Sequence, residues 1–151
     1  MLRLKIPPPV YMLFTGSVMW LLDHYFPLLT IIPSPWNLLG LVLIVVALLT
    51  DGASLLQFIR AHTTINPLHP EKTKHLVTTG PYSYTRNPMY LGLLILLAGW
   101  GIWLGSLTPF FMLPVFAWLL TSQQIIPEER ILEQKFGQAY RDYKSRVRRW
   151  F

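Results

Sequence analysis

Two short stretches hold the side chains best suited to chemistry. In Pro127-Glu128-Glu129, adjacent carboxylates follow a proline, and either can accept hydrogen bonds from an ammonium or hydroxyl group. In Asn87-Pro88-Met89-Tyr90, an amide and a phenol lie within four residues, and Tyr82 supplies a second ring nearby in sequence. Aromatic faces attract cations. Leu76, Val77 and Met89 can line an apolar slot, and Pro88 pushes Asn87 towards an extended conformation in which its amide can turn into a site. Carboxylates and rings for a cation, an amide for polar edges and apolar surface are thus available together.

Each residue also has a plainer reading. Tyr82, Tyr84 and Tyr90 can be aromatic residues of a membrane interface. Glu128 and Glu129 sit in a first helical turn, where carboxylates meet the helix dipole favourably. Leu132, Phe136, Tyr140, Tyr143 and Val147 recur every three or four residues, the stripe of an amphipathic helix that docks or lies on a membrane surface.

Several chemistries have no residues to carry them. The chain has no cysteine, so thiolate nucleophiles and disulfides are excluded. His62, His69 and His75 show no metal-ligand spacing and no His-Glu-x-x-His pattern, so no metal is expected. No Gly-x-Gly-x-x-Gly follows a strand pattern; Gly99-Trp100-Gly101 lies inside an apolar run, where close helix packing is at least as good a reading as a ligand contact.

The elements that must position these residues are apolar helices. Hydrophobic residues make up 52% of the 151 and charged residues 13%, a balance that suits lipid better than water. Four runs are long enough to cross a bilayer, at residues 10–32, 36–59, 88–104 and 107–126. Pro33-Ser34-Pro35 and Gly105-Ser106 form the tight turns, and Pro114 is expected to remove one backbone bond and kink the fourth span. The first run is too long for a signal-peptide core, contains Asp23 and His24, and lacks a small-x-small cleavage site, so it is read as a retained span.

All 13 Lys and Arg residues fall before the first span, between the second and third, or after the fourth. The positive-inside rule then places both termini in the cytoplasm. The net charge of +6 describes that one face, beside anionic lipid, and no nucleic-acid motif competes for it. The expected architecture is all-α, a single domain of four transmembrane helices with a cytoplasmic amphipathic C-terminal helix. Asp23 and His24 lie close to the outer interface. Asp51 lies more than two turns before Arg60, beside Gly52, Ala53 and Ser54, and can anchor an interhelical hydrogen bond.

The run from Leu76 to Gly92, with Gly80-Pro81-Tyr82 and Arg86-Asn87-Pro88-Met89-Tyr90, resembles the signature of the isoprenylcysteine carboxyl methyltransferase family and its phospholipid methyltransferase relatives. Pro127-Glu128-Glu129-Arg130-Ile131-Leu132, followed by Phe136-Gly137, Tyr140 and Tyr143, resembles the family's Glu-Glu box and C-terminal helix. The resemblance covers residues 60–151. It implies an integral membrane methyltransferase that binds S-adenosylmethionine at the cytoplasmic ends of its helices and acts on a lipophilic or lipid substrate. The bacterial inner membrane is the location it implies.

Matched by position, the family's cofactor contacts fall on Lys74, His75, Leu76, Val77, Tyr82, Asn87, Pro88, Met89, Tyr90 and Glu128. Two positions depart from the prenylcysteine enzymes. Asn87 stands where they carry histidine, and Gln124 stands at their substrate-contacting arginine, so a carboxylate substrate loses its counter-ion. The implied reaction is direct, in-line methyl transfer. Glu129 is the expected proton acceptor if the nucleophile begins as an ammonium. Two rivals remain in other classes: a membrane reductase of the sterol-reductase type, and a non-catalytic protein that keeps the fold.

Overall fold

The computed structural model describes residues 6–61 and 70–151. Arg3 and Lys5, used above to orient the chain, lie outside the described residues, as do His62 and His69. The described residues form six α-helices joined by short helical turns, with two isolated β-bridges and no strands.

Helix α1 (Pro8–Tyr25) opens on prolines, whose fixed φ and missing N–H suit a first turn. It stops seven residues short of the expected span. Phe26 precedes Pro27, which disfavours helical backbone at Phe26, and Phe26 indeed sits at φ −137, ψ 50. The chain then runs extended beside the 105–108 turn, where the amides of Ile31 and Ile32 donate to the Gly105 carbonyl. Asn37 also donates to the Trp103 carbonyl there. The two turns that lack Lys and Arg therefore meet at one end of the molecule.

Helix α2 (Leu39–Arg60) continues a short helical turn, Trp36–Leu38. Helix α3 (Pro88–Leu104) runs antiparallel along most of it. Small residues allow this. Gly40, Ala47 and Ser54 recur every seven residues as the buried positions of α2. A Cβ added to Gly99 of α3 would come within 2.6 Å of the Gly40 carbonyl oxygen. Gly101 instead faces Met19 and Phe110, so both glycines of the 99–101 run serve helix packing. The opposite face of α2 exposes Leu41, Val42, Val45, Leu48, Leu49 and Leu56, a continuous apolar surface that calls for lipid.

The fourth helical segment departs most from expectation. It runs without a break over Thr108–Phe136, where the sequence suggested an end at residue 126. It begins as a tight turn (Thr108–Phe111), becomes α4 (Met112–Leu120), widens into a π turn (Thr121–Ile125) and continues as α5 (Ile126–Phe136). In the widened turn the Ile126 amide reaches back five residues to the Thr121 carbonyl. That extra width accommodates the Pro127 ring, which would crowd the backbone of a regular helix. Pro114 is the third residue of α4, inside this continuous segment, where it removes one backbone donor.

The expected single C-terminal helix is two helices, α5 and α6 (Gln138–Arg146), divided at Gly137. Gly137 adopts φ +54, a backbone state that favours glycine, and the chain turns there. Among the described residues two helical segments, Trp36–Arg60 and Thr108–Phe136, are long and apolar enough to cross a membrane, and Pro88–Leu104 is apolar but shorter, at 17 residues.

Candidate functional site

At the basic end of α2, α3 and α5 lies a cavity of about 460 Å3. Its walls come from five parts of the chain: the prolines at the start of α1, the last turns of α2, the 70–87 segment, the first turns of α3, and the α5–α6 pair. The volume is in the range of small-molecule sites. Of the residues singled out from the sequence, Leu76, Val77, Tyr82, Asn87, Met89, Tyr90, Glu128 and Glu129 line it. Lys74 and His75 are exposed and lie outside the lining, and Pro88 is buried as the first residue of α3.

Antiparallel helices α3 and α5 bring the two sequence motifs together. The Tyr90 hydroxyl donates to Oε2 of Glu128 at 2.9 Å, across 38 residues of chain. That pairing fixes one carboxylate oxygen and leaves Oε1 available to a ligand. Successive helical residues point about 100° apart, so Glu129 meets the same cavity wall from another direction. It accepts from Arg149 Nη2 at 2.8 Å and Nε at 3.1 Å, and pairs with Arg86 Nη2 at 3.2 Å. The fork of Arg149 is bidentate, the geometry that suits carboxylates best. Glu129 and Arg86 are both 8% exposed at their side chains, so this is a buried ion pair. With three guanidinium contacts on its two oxygens, Glu129 has about one lone-pair direction left.

The tail that carries Arg149 is clasped onto the 82–87 segment. The Arg86 amide donates to the Arg148 carbonyl, and the Thr85 hydroxyl to that of Arg149. The Asn87 side-chain amide also donates to the Arg149 carbonyl, at 2.9 Å. Asn87 therefore lines the cavity with its NH2 committed to the tail. Tyr143 donates to the Tyr82 carbonyl at 2.7 Å, and the Tyr82 ring meets Phe58 edge-on at 5.4 Å. Burial pushes the Tyr82 phenol well above its usual range, with the Glu128 charge adding to this, and burial does the same for Tyr143. Both rings stay neutral, as donors and as apolar walls. Leu132, Tyr140 and Tyr143 of the amphipathic stripe close the cavity from the α5–α6 side.

Gln124 is fully buried in the π turn, outside the cavity lining, and donates to the Ile6 carbonyl at 2.6 Å. Among the described residues the interhelical hydrogen bond expected of Asp51 is absent: its Oδ1 is buried with no partner. Asp51 faces Gly92 of α3 and lines the cavity. Arg86 and Arg149 were not singled out from the sequence. The signal available was the Glu128-Glu129 pair itself, since two adjacent carboxylates entering a buried site require counter-charges.

Similar proteins agree with the motif reading. The sequence model of the phospholipid methyltransferase family matches residues 36–139. A protein-S-isoprenylcysteine O-methyltransferase of Arabidopsis thaliana is 32% identical over 108 residues, covering 72% of this chain and 55% of that enzyme. An uncharacterized protein of Haemophilus influenzae is 45% identical over 62 residues, covering 41% of this chain and 98% of that protein. A delta(14)-sterol reductase of Mus musculus matches less, 34% over 76 residues and 18% of its length. The chain thus spans about half the length of the Arabidopsis enzyme and far less of the reductase. With the family match running from just before α2 through α5, the chain belongs to the phospholipid methyltransferase family, together with its isoprenylcysteine O-methyltransferase relatives.

Proposed function

We propose that the protein transfers a methyl group from S-adenosylmethionine to a lipophilic acceptor, in a cavity at the cytoplasmic ends of four membrane-spanning helices. The observation that carries this reading is the Tyr90–Glu128 hydrogen bond, which joins the two family motifs on the wall of one cavity.

The cavity suits the cofactor. Among the described residues Arg86 Nε and Nη1 are buried without hydrogen-bond partners, two separate donors that the carboxylate of a methionine head could meet. Oε1 of Glu128 is placed to accept from a ribose hydroxyl or the ammonium. Leu76, Val77 and Met89 supply apolar surface for the adenine, and Tyr82 and Tyr90 bring rings near a sulfonium. Lys74 and His75, at the exposed rim, are proposed as outer contacts.

When bound, S-adenosylmethionine supplies a methyl carbon on a positively charged sulfur; the acceptor's lone pair forms the new bond as the carbon–sulfur bond breaks, leaving S-adenosylhomocysteine. The protein's contribution is placement in a partly dry site. Glu129 holds Arg86 and Arg149 and so fixes the cavity wall. To serve as the proton acceptor for an ammonium substrate it would use its one remaining lone-pair direction. Gln124, off the cavity, would act on substrate through the position of the chain near Ile6.

Purified protein incubated with methyl-labelled S-adenosylmethionine and membrane lipid extract should move label into the organic phase. Label that stays entirely in the aqueous phase across lipid, amine and prenylated-peptide acceptors would count against this reading. Reduction of a sterol double bond with a nicotinamide cofactor would replace it with the reductase alternative.

A further inference from the structure

Beyond Arg146 the chain leaves α6 and runs extended, with Val147 at φ −119, ψ 131. Arg148 forms a parallel bridge with Thr85, and the two segments hold each other through backbone carbonyls. This strap has two faces. Inward, Arg149 reaches Glu129, and Trp150 donates to the Thr121 hydroxyl of the π turn at 3.2 Å. The Trp150 ring packs against the core cluster that contains Tyr90, Phe116 and Leu120. Outward stand Tyr84, Arg146, Arg148 and Phe151.

The outward side chains have no protein to meet. Tyr84 and Phe151 are 83% and 81% exposed, more than any other large hydrophobic side chain among the described residues. Arg146 and Arg148 form no ion pair among the described residues. No Asp or Glu occurs in residues 83–88 or 146–151. Asp142, one turn before Arg146, has Oδ1 engaged by Gln138, and Glu129 is neutralised by Arg86 and Arg149. A bilayer surface receives this combination, since aromatic rings settle at headgroup level and guanidinium groups meet lipid phosphates. Tyr84 precedes the first turn of α3 by four residues, at the basic end of the apolar helices, which sets the strap beside that surface. A second copy of the chain fits worse, because a two-fold pairing would set arginine against arginine.

We propose that Tyr84, Arg146, Arg148 and Phe151 form a docking surface for anionic phospholipid headgroups of the membrane that the helices span, and that docking holds the strap shut. The same strap carries the Arg149 fork to Glu129 and receives the Asn87 amide, so lipid charge sets how firmly that wall of the cavity is held. The inference needs helices that cross a membrane and no particular chemistry in the cavity. Lipid that binds the closed strap and not the open one shifts the balance by mass action.

The test reads hydrogen exchange at the Arg86 amide, which donates to the Arg148 carbonyl and is freed when the strap lifts. The intact chain is placed in nanodiscs of phosphatidylcholine, or of phosphatidylcholine mixed with phosphatidylglycerol. At about fivefold for each arginine near an anionic surface, phosphatidylglycerol should slow that exchange roughly 10- to 30-fold at low salt. High salt should erase the difference. The double variant Arg146→Gln, Arg148→Gln should exchange alike in both discs, with the amides of α2 as reference for an intact fold. If those amides also speed up, each variant alone is read, with the lipid effect expected to shrink by about fivefold. Equal exchange of the wild type in the two discs overturns the proposal, as does a lipid effect that survives in the variants. The same slowing by dissolved glycerol 3-phosphate in phosphatidylcholine discs also overturns it, by making this a site for free phosphate.

Discussion

The Tyr90 hydroxyl and the Glu128 carboxylate meet at 2.9 Å although 38 residues separate them. Everything between them serves that meeting. Helix α3 leaves from Pro88, turns back through Gly105 and Thr108, and returns along α4 and the π turn to place Glu128 one turn into α5. Had the helix ended before Pro127, the carboxylate would stand on a loop; the widened turn keeps it on a rigid element.

Glu129 is expected to matter first for stability. Glu129→Ala leaves Arg86 charged, buried and without its partner, a change that typically costs about 3 to 5 kcal/mol. Thermal unfolding in detergent should show a large drop in midpoint. Unchanged stability would mean that solvent already reaches Arg86.

The C-terminal tail should act on the cavity through backbone contacts. Deleting residues 148–151 removes the carbonyls that receive the Arg86 amide and the Asn87 side chain, and removes the Arg149 fork on Glu129. At about 0.5 to 1.5 kcal/mol for each neutral hydrogen bond and more for the charged pair, S-adenosylhomocysteine affinity should fall roughly tenfold or further. Affinity equal to that of the intact chain would show that the tail is dispensable for the site.

The close approach of Asp51 to Gly92 makes a coupled prediction. Gly92→Ala places a methyl group into the Asp51 carboxylate and should destabilise the protein by about 1 to 3 kcal/mol, the usual cost of overpacking. Combining it with Asp51→Ala should restore part of the loss, because the clash disappears with the carboxylate. Additive losses in the double variant, measured by unfolding, would place the strain elsewhere.

The proposed orientation follows from the basic residues. Reporters fused to either terminus should sit in the cytoplasm, and tags inserted in the 33–35 or 105–106 turns should sit opposite, where the structure brings those two turns together. A C-terminus accessible from outside would overturn the four-span topology.

The sequence made some of this legible and hid the rest for identifiable reasons. Residues on apolar helices were placed well because span length and the hairpin between residues 88 and 127 force Asn87, Tyr90 and Glu128 onto one end. The early stop of α1 came from Phe26-Pro27, a local signal outweighed in a reading by hydrophobic length. Helix continuation through Pro127 depends on the π turn, whose five-residue step has no mark in residue type. The single amphipathic stripe from Leu132 to Val147 held for its buried tyrosines but broke at Gly137, where a φ of +54 ends periodicity. The Arg149 clamp was invisible, since an irregular tail that bonds through backbone carbonyls has neither period nor composition to betray its path.

The most direct test is titration of S-adenosylhomocysteine into the wild type and Glu128→Gln, with Tyr90→Phe alongside. Glu128→Gln keeps the shape and removes a charged hydrogen-bond partner worth about 1.5 to 3 kcal/mol, so affinity should fall roughly 10- to 150-fold. Tyr90→Phe should weaken it less if the ring is the contact and comparably if the hydroxyl is. A wild type that binds no S-adenosylhomocysteine, or a folded Glu128→Gln that binds it as tightly as the wild type, would contradict the account.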